Sequence, residues 1–205
     1  MFLRGFVSTS VIDDAKHRLA GRMQAIRREA HRAAGREAEQ ALCRTFRDAR
    51  RQGLAMEPGW VVSGYWPLRD ELDIRHLLTE LHGEGMQLAL PVVQGRGKPL
   101  LFRRWRPDDE LVPAGFGLSE PPADAPERVP RVVLAPLLAV DPQGNRLGYG
   151  AGYYDRTLQW LRARGPVTAV GVAFEAQRVP EVPHDGRDAP LDWVVTEQGA
   201  WRVDR

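Results

Sequence analysis

Cysteine and long apolar runs are the two features that this 205-residue chain most lacks. Its single cysteine, Cys43, can form neither an internal disulfide nor a thiolate cage for a metal, so we expect a cytoplasmic protein. No apolar run approaches the roughly 20 residues that span a bilayer, so we expect no membrane partner. Residues 1–15 lack the pattern of a signal peptide, and we interpret them as a frayed start.

The composition is that of an ordinary globular protein, with 43% apolar and 27% charged residues, which excludes general disorder. The net charge of +2 is unevenly spread: residues 16–51 contain 11 Lys or Arg against 4 acids, and residues 181–205 contain 6 acids against 3 Arg. This distribution suits an anionic ligand with a divalent cation, and by charge alone it also suits a nucleic-acid patch. The basic segment lacks interleaved aromatic residues and a known docking motif, so we expect no nucleic-acid partner.

The apolar pattern predicts a single α/β domain over residues 16–205. Apolar residues three and four apart over 19–49 predict an amphipathic helix that Gly35 interrupts. Asp70 stands where it could cap a second predicted helix, and the pattern predicts a third helix over residues 153–164. The strand patterns between them are apolar on both faces, which favours a mainly parallel sheet covered by helices on both faces. The predicted strands are 60–65, 86–93, 99–105, 132–140 and 167–174, with a last short one after Asp192 and a long surface loop over 107–130.

The most informative segment is residues 141–156, which read DPQGNRLGYGAGYYDR. It follows a predicted buried strand and leads into a helix, and open α/β sheets bind ligands at that edge. Glycines let the backbone approach a phosphate closely, and a helix N-terminus favours an anion. A Walker loop is excluded because no Lys follows the glycines, and G-x-G-x-G differs from the G-x-G-x-x-G dinucleotide fingerprint. Three glycines at alternate positions, flanked by Arg146 and Asp155, therefore predict a ligand-binding loop.

The segment 134–155, LAPLLAVD followed by GNRLGYGAGYYD, resembles the 5-formyltetrahydrofolate cyclo-ligase family, also called 5,10-methenyltetrahydrofolate synthetases. The block R-L-G-x-G-x-G-Y-Y-D is highly specific to that family, and the resemblance covers residues 60–197. Supporting motifs occur in the right order: Tyr65-Trp66-Pro67, Glu71-Leu72-Asp73, LPVV at 90–93, Phe116-Gly117-Leu118, Glu120-Pro121, Gln177, VPHD at 182–185, and Asp188 through Asp192.

The resemblance implies a single α/β sheet domain and an ATP-dependent ligase of one-carbon metabolism. Members of the family use ATP and Mg²⁺ to convert 5-formyltetrahydrofolate into 5,10-methenyltetrahydrofolate, releasing ADP and phosphate. The γ-phosphate goes to the formyl oxygen, and N10 of the folate then attacks that carbon as phosphate leaves. Both nucleophiles belong to the substrate, so we expect the protein to orient two ligands and to neutralise phosphate charge. Cys43 is accordingly expected to be a buried apolar residue.

The same resemblance assigns the glycine loop to ATP, with Arg146 and Tyr153 as catalytic residues. The stretch from Tyr149 to Tyr153 is also expected to border the folate, because the formyl oxygen must meet the γ-phosphate. The implied ATP-binding residues are Arg27, Arg146, Leu147, Gly148, Tyr149, Gly150, Ala151, Gly152, Tyr153 and Tyr154. The implied substrate-binding residues are Trp66, Glu71, Tyr149, Gly150, Ala151, Gly152 and Tyr153.

Asp155 and Asp188 match metal-ligand positions of the family, and two carboxylates suit Mg²⁺. Asp155 could instead cap the following helix, and Asp188 could be an ordinary loop acid. The carboxylate of Glu71 suits the N–H donors of a pterin ring, and the indole of Trp66 suits its flat face. Glu71 could instead stabilise a helical turn, and Trp66 could be core packing.

The departure from the family lies near the N-terminus, where members usually carry K-x-x-L-R on one helix face. The best register here runs from Met23 to Arg27, which keeps the Arg and places Met23 where the Lys belongs. Arg22 is adjacent but points about 100° away around the helix. Met23→Lys is therefore expected to improve ATP use. The alternative function is a non-catalytic relative that binds folate or nucleotide, and we expect a monomer.

Overall fold

The computed structural model describes residues 9–204 of the chain. Within that range, three α-helices span Thr9–Arg51 (α1), Arg75–Gly83 (α2) and Tyr153–Arg162 (α3). The strands are Val61–Ser63 (β1), Gln87–Val92 (β2), Leu101–Arg104 (β3), Val112–Pro113 (β4), Ser119–Glu120 (β5), Val132–Pro136 (β6), Ala139–Val140 (β7), Arg146–Leu147 (β8), Thr168–Val172 (β9), Trp193–Val195 (β10) and Ala200–Arg202 (β11).

Seven of these strands form one sheet in the order β11-β10-β9-β6-β1-β2-β3. The five inner strands pair in parallel, and the two outermost, β3 and β11, pair antiparallel to their neighbours. The predicted single α/β domain with a mainly parallel sheet is confirmed. Parallel neighbours align their carboxyl ends at one edge of the sheet, and the glycine loop follows that edge beyond β6.

Helices cover both faces of the sheet, as the strand β6 shows. Val132 and Leu134 belong to the apolar cluster that includes residues of α1 and α2, whereas Val133 between them belongs to the cluster of α3. All three side chains are fully buried. A strand that is buried on both faces needs apolar residues at every position, which explains the unbroken apolar run in the sequence.

Helix α1 is interrupted at Gly35, as predicted. The backbone there has φ 52° and ψ −165°, a non-helical conformation that glycine adopts without the steric penalty of a Cβ atom. Beyond the break, Leu42, Cys43 and Phe46 pack in the main core, so the prediction of a buried Cys43 is confirmed. Before the break, Met23 packs in a separate small cluster with residues that flank the glycine loop.

Several boundaries differ from the predictions. The expected frayed start over residues 1–15 is wrong for 9–15, which are helical; residues 1–8 lie outside the described part of the chain. Asp70 does not cap α2, because that helix begins five residues later, with Ile74 at its N-cap. The predicted strand over 132–140 is divided into β6 and β7. Strands β8 and β11 were not predicted, since each is too short to show a periodic pattern.

The Pro-rich segment 107–130 was predicted as a plain surface loop, but part of it is ordered against the sheet. Residues 112–113 and 119–120 form the small antiparallel pair β4 and β5. Further on, the amide of Arg104 donates to the carbonyl of Pro126 at 2.8 Å, and the amide of Arg128 donates to that of Phe102 at 2.9 Å. The segment therefore lies along the outer edge of β3. Among residues 9–204, no helix combines the length and the apolar character needed to cross a membrane.

Candidate functional site

The glycine loop is held at both ends and exposed in its middle. Its first arm, β8, pairs antiparallel with β7, and Asp141 at the turn is buried. One carboxylate oxygen of Asp141 accepts the amide of Asn145 at 2.9 Å, and the other accepts the amide of Val182 at 3.0 Å. Residues 149–151 are exposed, so the middle of the predicted ligand-binding stretch faces solvent, whereas Arg146 and Leu147 at its start are buried.

Two glycines of the loop have backbone conformations that favour glycine. Gly150 has φ 88°, and Gly152, which is the N-cap residue of α3, has φ 64°. The left-handed conformation of Gly152 turns the chain into α3, so that the backbone amides of the first helical turn lie next to the loop. Within the described residues, α3 has no hydrogen bond from an N-cap side chain. Backbone amides that lack a partner at a helix N-terminus favour an anion.

Arg146 joins three segments behind the loop. Its side chain is 4% exposed, with Nη2 2.9 Å from Asp155 Oδ1 on α3. Its Nη1 donates to the carbonyl of Ala189 at 2.7 Å, and the amide of Ala189 in turn donates to Asp155 Oδ1 at 3.0 Å. Asp155 therefore bonds both Arg146 and the segment at Ala189; it lies in the first turn of α3, and Gly152 holds the N-cap position of that helix.

Asp188 lies in the same neighbouring segment, one residue before the amide that Asp155 accepts. Both of its carboxylate oxygens contact the ammonium group of Lys16 on α1, at 2.6 and 2.9 Å. The amide of Asp185 also donates to Asp188 Oδ2 at 2.8 Å. The fold thus brings the two sequence-predicted metal ligands to one region, beside a lysine that the sequence argument did not single out.

Glu71 is the centre of a second buried cluster on the other side of the loop. It is 5% exposed, and burial raises the pKa of its carboxyl group above the ordinary value. The hydroxyl of Tyr149 donates to its Oε1 at 2.7 Å, and the amide of Leu68 donates to its Oε2 at 2.8 Å. The bond from Tyr149 ties the exposed part of the glycine loop to the end of β1, where the predicted folate contacts lie.

Arg27 belongs to this cluster as well. Its guanidinium donates from Nε and Nη2 to the carboxylate of Asp70, at 3.1 and 2.9 Å, and from Nη1 to the hydroxyl of Tyr149. Burial alone would lower the pKa of Arg27, but the bonds with Asp70 and Tyr149 raise it above the ordinary value. The residue is 2% exposed, so a contact with ATP would require these bonds to open. That role stays a prediction.

The remaining predicted residues lie around these two clusters. Trp66 is half-buried and packs edge-on against Trp105, with ring centroids 5.8 Å apart. Tyr153 and Tyr154 are half-buried in the first turn of α3, and Leu147 is buried in the cluster that contains Met23. The site therefore has one half-buried indole, an exposed glycine loop and two sets of carboxylates.

Lys16 could have been found from the helical periodicity. It precedes Arg27 by 11 residues, and 11 steps of 100° return to within about 20° of the same helix face. The position of Met23 lies on that face too, but its side chain is fully buried among Leu138, Leu147 and their neighbours. Lys16 thus places a basic group on this face of α1, two turns before position 23.

This burial reverses the expectation for Met23→Lys. A lysine placed in that apolar cluster has no carboxylate partner among the cluster's residues, so we expect the free energy of unfolding to fall by at least about 2 kcal/mol. Urea denaturation of Met23→Lys measures this, with Met23→Leu as a volume-conserving control that changes stability by less than about 1.5 kcal/mol. A lower KM for ATP at unchanged stability would restore the original expectation.

Comparison with known proteins identifies the family. The model of the 5-formyltetrahydrofolate cyclo-ligase family matches residues 12–197, which is nearly the whole chain. The chain belongs to the 5-formyltetrahydrofolate cyclo-ligase family. It is similar to the 5-formyltetrahydrofolate cyclo-ligase of Escherichia coli K12, with 37% identity over 137 residues, 64% of this chain and 74% of that protein. It is similar also to that of Mycolicibacterium smegmatis, with 38% identity over 149 residues, 67% of this chain and 74% of that protein.

A solved structure of a cyclo-ligase relative confirms the fold over the same extent. The 5,10-methenyltetrahydrofolate synthetase of Aquifex aeolicus superposes with a TM-score of 0.73 at 27% identity and covers 93% of each chain. The predicted family, the α/β fold and the enzyme class, an ATP-dependent ligase of folate one-carbon metabolism, are therefore confirmed. The individual site residues of this cyclo-ligase stay predictions.

Proposed function

We propose that this chain converts 5-formyltetrahydrofolate and ATP into 5,10-methenyltetrahydrofolate, ADP and phosphate. One observation carries the proposal: the glycine loop that follows Arg146 reaches Glu71 through Tyr149 and ends at the N-terminus of α3. One loop thereby borders both a carboxylate suited to a pterin ring and a helix terminus suited to phosphate. The reaction requires that proximity, because the formyl oxygen must meet the γ-phosphate.

The proposed chemistry leaves bond formation to the two substrates. The formyl oxygen on N5 attacks the γ-phosphorus and ADP departs, which gives an iminium phosphate. N10 then attacks the formyl carbon and loses its proton. Phosphate leaves as the bond between that carbon and the phosphorylated oxygen breaks. The protein positions the ligands and stabilises charge on the transferred phosphoryl group, which is how phosphoryl transfer is generally catalysed.

We assign the triphosphate to the loop from Gly148 to Tyr154, with Lys16 and Arg146 as the nearby cations. Lys16 supports this assignment because its ammonium group lies 2.6 Å from Asp188, in the segment whose Ala189 amide donates to Asp155. Lys16 also supplies a basic group on the helix face of position 23, where the family usually carries its lysine. Tyr153, at the start of α3, is assigned to the same phosphate region.

Asp155 and Asp188 fit a magnesium ion by the chemistry of their donors. Both are carboxylates that are partly exposed, at 23% and 19% for the side chains, so hydrated Mg²⁺ could reach them. When bound there, Mg²⁺ supplies positive charge to the phosphate oxygens of ATP. If Asp188 binds the metal, the ammonium group of Lys16 would pair with the phosphates in place of Asp188.

The folate is assigned to Glu71 and Trp66. Glu71 accepts hydrogen bonds on both carboxylate oxygens from neutral donors, and the pterin ring offers donors of the same kind. Trp66, five residues before Glu71, is half-buried, and the guanidinium of Arg75 lies 5.2 Å from its ring centroid, so the pterin would replace Arg75 on that face. We also propose that the protein acts as a cytoplasmic monomer. Its single thiol is buried and unreactive, since burial raises the pKa of Cys43 to about 12.

The direct test incubates the protein with 5-formyltetrahydrofolate and MgATP and follows the absorbance of the methenyl product. We expect product only when ATP and Mg²⁺ are both present, with one ADP formed for each methenyl group. Omission of ATP and chelation of Mg²⁺ are the controls. Tight binding of the folate with no turnover at any ATP concentration would contradict the proposal and favour the non-catalytic alternative.

A further inference from the structure

Two carboxylates compete for one buried cation beside the glycine loop. Asp70 accepts from two of the three guanidinium nitrogens of Arg27, at 2.9 and 3.1 Å. The third nitrogen, Nη1, donates to the hydroxyl of Tyr149 and lies 3.9 Å from Glu71 Oε1. The side chain of Arg27 is 3% exposed, so its charge has to be balanced within the protein.

The geometry shows which carboxylate holds the cation. Burial alone would raise the pKa of Asp70. Its two hydrogen bonds with Arg27 outweigh that effect and hold the pKa below its ordinary value. Glu71 lies beyond hydrogen-bond distance of the guanidinium and accepts instead from two neutral donors, Tyr149 and the amide of Leu68. A shift of Arg27 by about 1 Å would convert the 3.9 Å approach into a hydrogen-bonded ion pair.

We propose that Asp70 is a positioning residue for the folate: by holding Arg27, it keeps Glu71 available to accept N–H groups of the pterin ring. Tyr149 is 47% exposed, and its neutral hydroxyl can leave Glu71 when the substrate arrives. A guanidinium bound to Glu71 would be harder to displace, because charge-assisted bonds are about twice as strong as neutral ones. This inference rests on the proposed binding of folate at Glu71.

The first test is Asp70→Asn, which leaves the shape but removes the charge that retains Arg27. We expect the KM for 5-formyltetrahydrofolate to rise about 10- to 100-fold, the range of a charge-assisted hydrogen bond, while the KM for ATP stays unchanged. Asp70→Glu restores a carboxylate and is expected to recover most of the folate affinity. Asp48→Asn is the control, because Asp48 also pairs with an arginine, Arg51, at the exposed end of α1, and it should leave both KM values unchanged.

A second substitution separates this role from a merely structural one. If Arg27 occupies Glu71 in Asp70→Asn, then adding Arg27→Met frees Glu71 again, and the KM for folate falls back toward the wild-type value. A merely structural pair would also be partly relieved in the double variant, because both partners are then removed, but that relief would appear in the melting temperature while the KM for folate stayed unchanged in all the variants. Thermal melts of each variant confirm that the kinetics are measured on folded protein.

Other outcomes overturn the inference. A raised KM for ATP with an unchanged KM for folate would assign Arg27 to the nucleotide, and a lowered melting temperature with both KM values unchanged in Asp70→Asn would make the Arg27–Asp70 pair purely structural. Glu71→Gln distinguishes this failure from failure of the proposed function. If Glu71→Gln leaves the KM for folate unchanged, the folate assignment is wrong; if it raises that KM while Asp70→Asn does not, only the role of Asp70 is wrong.

Discussion

Asp155→Asn is expected to lower the rate of methenyltetrahydrofolate formation by about 10²–10³, with partial recovery at high Mg²⁺. Asn keeps an oxygen for the amide of Ala189 but is a poor ligand for a hard cation, and it removes the negative charge beside Arg146. The rate is measured over a Mg²⁺ titration at saturating ATP. Near-normal turnover at limiting Mg²⁺ would contradict the assignment of Asp155 as a metal ligand.

The chain offers a close control for this substitution. Asp192 is likewise bonded to an arginine, Arg162, at 2.8 Å, and accepts a backbone amide, that of Ala169, at 2.8 Å. Its side chain is also partly exposed. Asp192→Asn should lower the melting temperature less than Asp155→Asn does, because its partner Arg162 is 26% exposed and Arg146 only 4%, and it should leave the rate and its Mg²⁺ dependence unaltered. A similar loss of rate in both variants would point to stability as the cause.

Arg146→Met is expected to have the largest effect on stability, because it leaves a carboxylate and a carbonyl without their buried partner. Breaking a buried ion pair in this way costs about 3–5 kcal/mol, and the lower end applies since Asp155 is partly exposed. For a chain of this size, about 3 kcal/mol corresponds to a fall of roughly 6–12 °C in the melting temperature. Activity, assayed well below the transition, is expected to fall as well.

Arg162→Met provides the comparison for Arg146→Met. Arg162 also bonds a backbone carbonyl, that of Pro190, and a carboxylate, that of Asp192, but its side chain is 26% exposed. Ion pairs nearer the surface contribute about 0–1 kcal/mol, so Arg162→Met should shift the melt only slightly. Equal shifts in the two variants would show that burial of Arg146 does not add to stability, and a role at the phosphates alone would then explain its activity loss.

The sequence predicted the sheet well because its inner strands are buried on both faces. Such strands show as apolar runs, and the glycine loop shows as a motif, so β6 and the segment around Arg146 could be placed without a structure. Gly35 was equally visible, since a glycine inside a helical pattern marks a break. Elements of two or three residues, such as β8 and β11, carry no period and were missed.

The contacts of the site could not be predicted because they join residues far apart in the chain. Asp70 looked like a helix cap from its neighbours, but its partner is Arg27, which lies 43 residues away on α1. Lys16 meets Asp188 across 172 residues. Side-chain type at these positions suggests charge and hydrogen bonding, but only the packing of α1 across the sheet decides which groups meet.

The ordered segment along β3 bears on how the protein avoids aggregation. An exposed edge strand offers unpaired amides and carbonyls that a strand of another molecule can join. Here the outward groups of Phe102 and Arg104 are already taken by residues 126–128. Pro126 begins that segment and Pro130 follows it by two residues. A proline has no amide hydrogen to donate to an incoming strand. The proline-rich stretch thus closes this side of the sheet against intermolecular strand pairing at high protein concentration.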